Sequence, residues 1–155
     1  MIAAGAHFCG GVIINNHWIL SVAHCTINRT PANTFGVVGT NNRLTGETNH
    51  AISHPLYTNI FNDVCVLRTV VPFTFSALVG QVPFGVANVP ENVAVTVAGW
   101  GNTQWQGSLA LNLQFLHATT ITNANCAGLF AGTTGSNVMP NMLCRLANIS
   151  GSGKV

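Results

Sequence analysis

Short apolar segments recur along the chain, each closed by turn residues: Gly11 to Ile14, His17 to Val22, Thr34 to Val38, Val64 to Leu67, Val93 to Ala98 and Leu111 to Ala118. Val93-Ala94-Val95-Thr96-Val97 has the β-branched character of a strand, and Gly99 and Gly101 close it. No segment sustains a long run at the helical period. The best helix candidate is short, Asn123 to Phe130, with Thr122 or Asn123 as its N-cap. Many short strands punctuated by Gly, Pro and Asn predict an all-β barrel or sandwich. Internal repeats and low-complexity linkers are absent from the sequence. Pro and polar residues interrupt the strand pattern at Val89-Pro90-Glu91-Asn92, which divides the chain into residues 1–91 and 92–155.

Composition narrows the function classes. Nearly half of the 155 residues are apolar, which argues against disorder. Only three acids (Glu47, Asp63, Glu91) and five bases occur, and Asn92 to Cys144 contains neither. Neutral polar groups must provide solubility, and Asn and Thr are abundant at 18 and 16. The bases are scattered singly with no stripe to follow a phosphate backbone, so no nucleic-acid partner is expected. No membrane span is expected either. The uncharged run Thr69 to Pro90 is broken by Pro72, Gly80, Pro83 and Gly85, and the run from Asn92 is dotted with Asn, Thr and Gln. Met1 to Ala6 lacks the basic start and long apolar region of a signal peptide. Five cysteines allow at most two internal bridges, and Asn28-Arg29-Thr30 and Asn148-Ile149-Ser150 are glycosylation sequons.

Asp63, the only aspartate, stands beside an apolar run in Asn62-Asp63-Val64-Cys65-Val66-Leu67. A carboxylate there is costly to bury unless groups donate to it. By itself it fits a turn residue before a strand, or an ion pair with Arg68. His24 ends the apolar stretch Trp18-Ile19-Leu20-Ser21-Val22-Ala23-His24-Cys25, where a lone His is usually a core residue with a satisfied ring. Taken together the two change meaning. A carboxylate holding the Nδ1–H of a histidine fixes its tautomer and leaves Nε2 as a general base. Glu47, His50 and His54 have metal-like spacing, but His50 and His54 share a side only on a helix, and Ala51 to Pro55 predicts strand then turn. No metal is expected.

These residues carry a family resemblance. His7-Phe8-Cys9-Gly10-Gly11-Val12-Ile13-Ile14, followed by the stretch ending Ala23-His24-Cys25, resembles the histidine region of chymotrypsin-like serine peptidases. Asn62 to Leu67 resembles their segment that holds the triad aspartate, and His54-Pro55-Leu56-Tyr57 their His-Pro-x-Tyr turn. Val97-Ala98-Gly99-Trp100-Gly101 is similar to the Gly-Trp-Gly element that opens their second barrel, and Cys126 and Cys144 to a family pair flanking a short helix and a loop. Arg68 to Gly85 looks like the insect digestive members. The order and separations of these motifs make the resemblance specific over nearly the whole chain.

The resemblance implies a double Greek-key β-barrel, with the first barrel nearly complete in residues 1–91 and the second begun in 92–155. It implies peptide-bond hydrolysis by a Ser-His-Asp triad, with His24 as general base and then general acid and Asp63 as its orienting carboxylate. It pairs Cys9 with Cys25 and Cys126 with Cys144, leaving Cys65 as a buried free thiol. Ser21 and Ser53 have no nucleophile context. Met1 to Ala6 does not supply the family's first-barrel opening, and Ser150-Gly151-Ser152-Gly153-Lys154-Val155 resembles the loop just before its Gly-Asp-Ser-Gly-Gly motif, so this chain is expected to carry no nucleophile and to be inactive alone. Val155 falls at or next to the base of the primary specificity pocket, where an apolar residue disfavours Lys and Arg and favours apolar or small substrate residues. The implied protein is secreted, monomeric and without cofactor. Its partners are protein or peptide substrates and protein protease inhibitors. The alternative is a non-catalytic peptidase homologue that works by binding, which would have no catalytic need to keep both His24 and Asp63.

Overall fold

The computed structural model describes residues 1–3, 6–27, 29, 34–45, 47–50, 63–83, 85, 87–104 and 106–147. They fall into two compact units, Met1–Gly85 and Val86–Val155, dividing shortly before the Pro90 break in the sequence pattern. Both units are β-structure, with a single short α-helix among the described residues.

The first unit holds β1 (Ile2–Ala3), β2 (Ala6–His7), β3 (Val12–Asn15), β4 (Trp18–Ser21), β5 (Phe35–Val38), β6 (Glu47–His50) and β7 (Cys65–Arg68). They form two antiparallel sheets, in the orders β2-β1-β5-β6 and β3-β4-β7. The β3–β4 hairpin turns at Asn16-His17, where Asn15 Oδ1 accepts the His17 N–H at 2.8 Å, a local turn that Asn side chains favour. Gly11 enters this hairpin because a Cβ there would lie 2.6 Å from Ile19 Cγ2. In the β4–β7 ladder Ile19 faces Leu67 and Ser21 faces Cys65. Ile19, Cys65 and Leu67 are buried, and they join Met1, Ala23, Cys25, Phe73 and Val79 in one core. The described residues of the uncharged segment after β7 form no strand. They are tied to the hairpin by Thr69 N–H to His17 O (2.8 Å), Phe73 N–H to Asn16 O (2.7 Å) and Val82 N–H to Ile13 O (2.9 Å). These bonds deliver Phe73 and Val79 to the core.

The second unit holds β8 (Ala94–Gly99), β9 (Gln114–Ile121), α1 (Asn123–Leu129) and β10 (Cys144–Ala147), with sheet order β10-β9-β8. The N-cap of α1 is Thr122, whose hydroxyl accepts the Asn125 N–H at 3.1 Å. The apolar run Leu111 to Ala118 predicts the start of β9 but not its end, because Thr119 and Thr120 carry no hydrophobic signal. Thr120 is buried at 1% exposure, satisfied by donating to Pro90 O at 2.7 Å and accepting the Val93 N–H at 2.9 Å. β10, only four residues of Cys-Arg-Leu-Ala, has no alternating pattern to announce it. Its place comes from the ladder to β9 and from the Cys126–Cys144 disulfide.

Candidate active site

β4 ends at Ser21, Val22 stays extended, and Ala23–Cys25 close one 3-10 turn. Both flanks of the turn are anchored. Ala23 is buried at 1% exposure, and Cys25 is buried and bonded to Cys9. Thr26 N–H and Ile27 N–H both donate to Ala23 O, at 2.9 and 3.0 Å. With its neighbours fixed inward, His24 projects outward, and its side chain is 59% exposed.

The same ladder supplies the partner. Ser21 opposes Cys65, so continuing the register two residues along each chain brings Asp63 opposite Ala23, beside His24. Asp63 Oδ1 accepts the backbone N–H of His24 at 2.8 Å, and Oδ2 lies 2.7 Å from His24 Nδ1. Both oxygens therefore serve the turn, and Arg68 is not the partner of this carboxylate. Partial burial alone would raise the Asp63 carboxyl. Hydrogen bonds from the His24 ring and from the backbone of His24 and Ala23, together with the His24 charge, outweigh it and hold the group below the ordinary carboxylate value. An ionised carboxylate only accepts, so Nδ1 carries the proton and Nε2 keeps its lone pair. Such a ring can take a proton at Nε2 and return it.

The surroundings are inert. Ser21 Oγ donates to Gly10 O at 2.8 Å, a structural bond. Cys65 is a buried free thiol, with Thr26 Oγ1 3.6 Å from its sulfur. Burial pushes its pKa up, the Thr26 hydroxyl offsets part of that, and the Asp63 charge raises it further. Arg29, one of the scattered bases in the sequence, has a defined place: its Nε donates to Cys25 O at 3.1 Å and its guanidinium lies 3.8 Å over the Phe8 ring. No sequence pattern marks it. Among the described residues, the set with metal-like spacing is Cys9, His24 and Cys25, which the sequence pattern does not single out. The signal was the adjacency of His24 to a cysteine bridged to Cys9. Ser53, His54, Ser150, Ser152 and Val155, and the sequon residues Asn28 and Asn148, lie outside the described residues. For Glu47 and His50 only the backbone of β6 is described.

Comparison with known proteins finds relatives over most of the chain. The trypsin family model matches residues 1–154. Trypsin-1 of Salmo salar is 30% identical over 138 residues, 83% of this chain and 55% of that protein. A trypsin of Xenopus laevis is 30% identical over 151 residues, 91% of this chain and 59% of that protein. Achelase-1 of Lonomia achelous is 35% identical over 150 residues, 88% of this chain and 69% of that protein. A solved structure of a scabies mite inactivated protease paralogue matches with a TM-score of 0.79 at 20% identity, covering 90% of this chain and 64% of that one, which establishes the shared fold. The chain thus spans little more than half the length of the trypsins it matches.

Proposed function

The chain belongs to the trypsin family of serine peptidases, and from that premise we propose that His24 and Asp63 are the general base and the orienting carboxylate of a serine endopeptidase. The observation that carries this reading is the double engagement of Asp63, by the His24 N–H at 2.8 Å and by Nδ1 at 2.7 Å. Position and tautomer are fixed together by one carboxylate. His24 Nε2 takes the proton of a serine hydroxyl as the hydroxyl attacks the peptide carbonyl, then gives it to the leaving amine. Asp63 stabilises the imidazolium between those steps. The nucleophile is none of the serines in residues 1–155, so these residues supply two of three triad members. Residues 1–91 are assigned to the first barrel and 92–155 to the second. The substrates are proteins or peptides, protein protease inhibitors bind the same site, and the protein acts as a monomer. Two disulfides suit an oxidising, secretory setting, and no described helix is long and apolar enough to cross a membrane.

The test is fluorophosphonate labelling and peptide-amide turnover of the full-length protein. His24→Ala should lower turnover by about 10²–10⁴-fold, the usual contribution of a general base, with the fold intact. Residues 1–155 alone should not label; labelling would mean that one of their own serines is the nucleophile. A full-length protein with no serine reactivity would instead support the binding-only homologue.

A further inference from the structure

Beside the disulfide, a second tie runs from the segment Phe8-Cys9 to the end of the His24 turn. Cys9 reaches Cys25 through the bridge. Phe8 reaches the same residue through Arg29, whose guanidinium carbon lies 3.8 Å from the Phe8 ring centroid while its Nε donates to Cys25 O at 3.1 Å. The backbone N–H of Arg29 also donates to Thr26 O at 2.9 Å. On the reading of His24 as general base, we propose that Arg29 is its positioning residue: a clamp on Cys25 that sets the His24 ring against Asp63.

His24 stands between two neighbours whose carbonyls are held differently. Ala23 O accepts the N–H groups of Thr26 and Ile27, which close the turn on itself. Cys25 O lies past those bonds, at the end where a helical turn leaves carbonyls without donors of its own. Arg29 provides the donors there, to Cys25 O and Thr26 O in succession. The disulfide does not replace this clamp. It joins two Cα atoms through a chain of single bonds, so it limits their separation more than the tilt of the Cys25 peptide. That tilt matters because Asp63 takes both the His24 N–H at 2.8 Å and Nδ1 at 2.7 Å, so backbone and ring must keep one orientation. The Phe8 platform is itself fixed: its N–H donates to Met1 O at 3.1 Å, and its side chain packs against the core. Arginine suits the place. A flat guanidinium stacks on the ring by its face and still donates from its edge, whereas lysine carries its donors only at the tip. Because Arg29 is exposed, its contacts add little to global stability, and their effect is on alignment.

The test is made on the full-length protein with two readouts. In Arg29→Ala, kcat should fall about three- to tenfold with KM unchanged, the rate equivalent of one lost hydrogen bond. Misalignment of a base acts on the chemical step, whereas loss of a plain substrate contact raises KM alone. The second readout needs no substrate: the His24 Nδ1 proton, followed by NMR, should exchange with solvent about three- to tenfold faster. The urea midpoint should barely move, because the side chain is exposed. Arg29→Lys keeps the charge without the ε donor and should recover neither readout. Phe8→Leu/Arg29→Ala should exchange no faster than Arg29→Ala, since both changes open the same clamp. Unchanged proton exchange in Arg29→Ala, a raised KM at constant kcat, full recovery in Arg29→Lys, or losses that add in the double variant would overturn the clamp. A full-length protein that exchanges as described but turns nothing over would retain the clamp and defeat the peptidase reading.

Discussion

In the unit Met1–Gly85, Ile19, Cys65 and Leu67 are 4%, 1% and 1% exposed, and the turn carrying His24 springs from their strands. In Val86–Val155 the strand residues Phe115 and Leu146 are 68% and 48% exposed, and the buried positions are small: Ala118, Thr120, Cys126 and Cys144. One unit is held by large side chains locked across a strand pair. The other is held by its ladder, a threonine anchor and a disulfide. The difference bears on where chemistry can be placed. A packed strand pair fixes both the turn of His24 and the approach of Asp63, so two side chains far apart in sequence meet within hydrogen-bond distance.

The sharpest way to break that contrast is a pair of truncations. Leu67→Ala should cost about 2–5 kcal/mol, because it empties a fully packed position. Phe115→Ala should stay within about 0.5 kcal/mol, as for other exposed positions. Denaturant unfolding of both variants measures the difference. Equal losses would mean that the second unit packs as tightly as the first.

Next in size is the bridge of the second unit. Its cysteines are 18 residues apart and those of the first unit 16, so loop closure predicts about 3 kcal/mol from each. Cys126→Ala/Cys144→Ala should therefore lose about that much, and hydrogen exchange should place the loss in α1 and β10. Loss of protection spread equally over β4 and β7 would show that the units do not unfold independently.

How much of this was legible in the sequence follows the same division. In the first unit β3, β4, β5 and β7 announce themselves because their signal is hydrophobic, with Ile19 and Leu67 large and buried, whereas the two-residue β1 and β2 and the polar β6 (Glu47–His50) leave no such mark. His24 and Asp63 were legible only as a pair, since each alone fits a common structural role, and the motif order supplied what local pattern could not. The end of β9 and the whole of β10 were not legible. Thr120 is buried by hydrogen bonds and β10 by a covalent partner, and neither leaves a periodic mark. Arg29 was invisible for a related reason, because its partners are a carbonyl and an aromatic face that come near only after the turn folds.

The smallest expected effect is a pH dependence at the turn that carries His24. Asp63 is held below its ordinary value in the folded state by its bonds to the His24 turn, against the opposing effect of burial. A group depressed on folding adds stability that is complete above its unfolded pKa, about 4 for a carboxyl, and is lost as pH falls through the lower folded value. The loss should appear locally, since the bonds given up are the ones closing the turn at Ala23 and His24. Amide protection factors for these two residues, corrected for the intrinsic pH dependence of exchange, should fall as pH drops below about 4. Protection of β8 and β9 should hold over that range, because Asn92 to Cys144 contains no acidic side chain to titrate. Asp63→Asn keeps the shape and removes the titration, so its His24 protection should be lower at neutral pH and flat through the acid range. A parent profile that is already flat there, or an unchanged profile in Asp63→Asn, would mean that this carboxylate does not hold the turn.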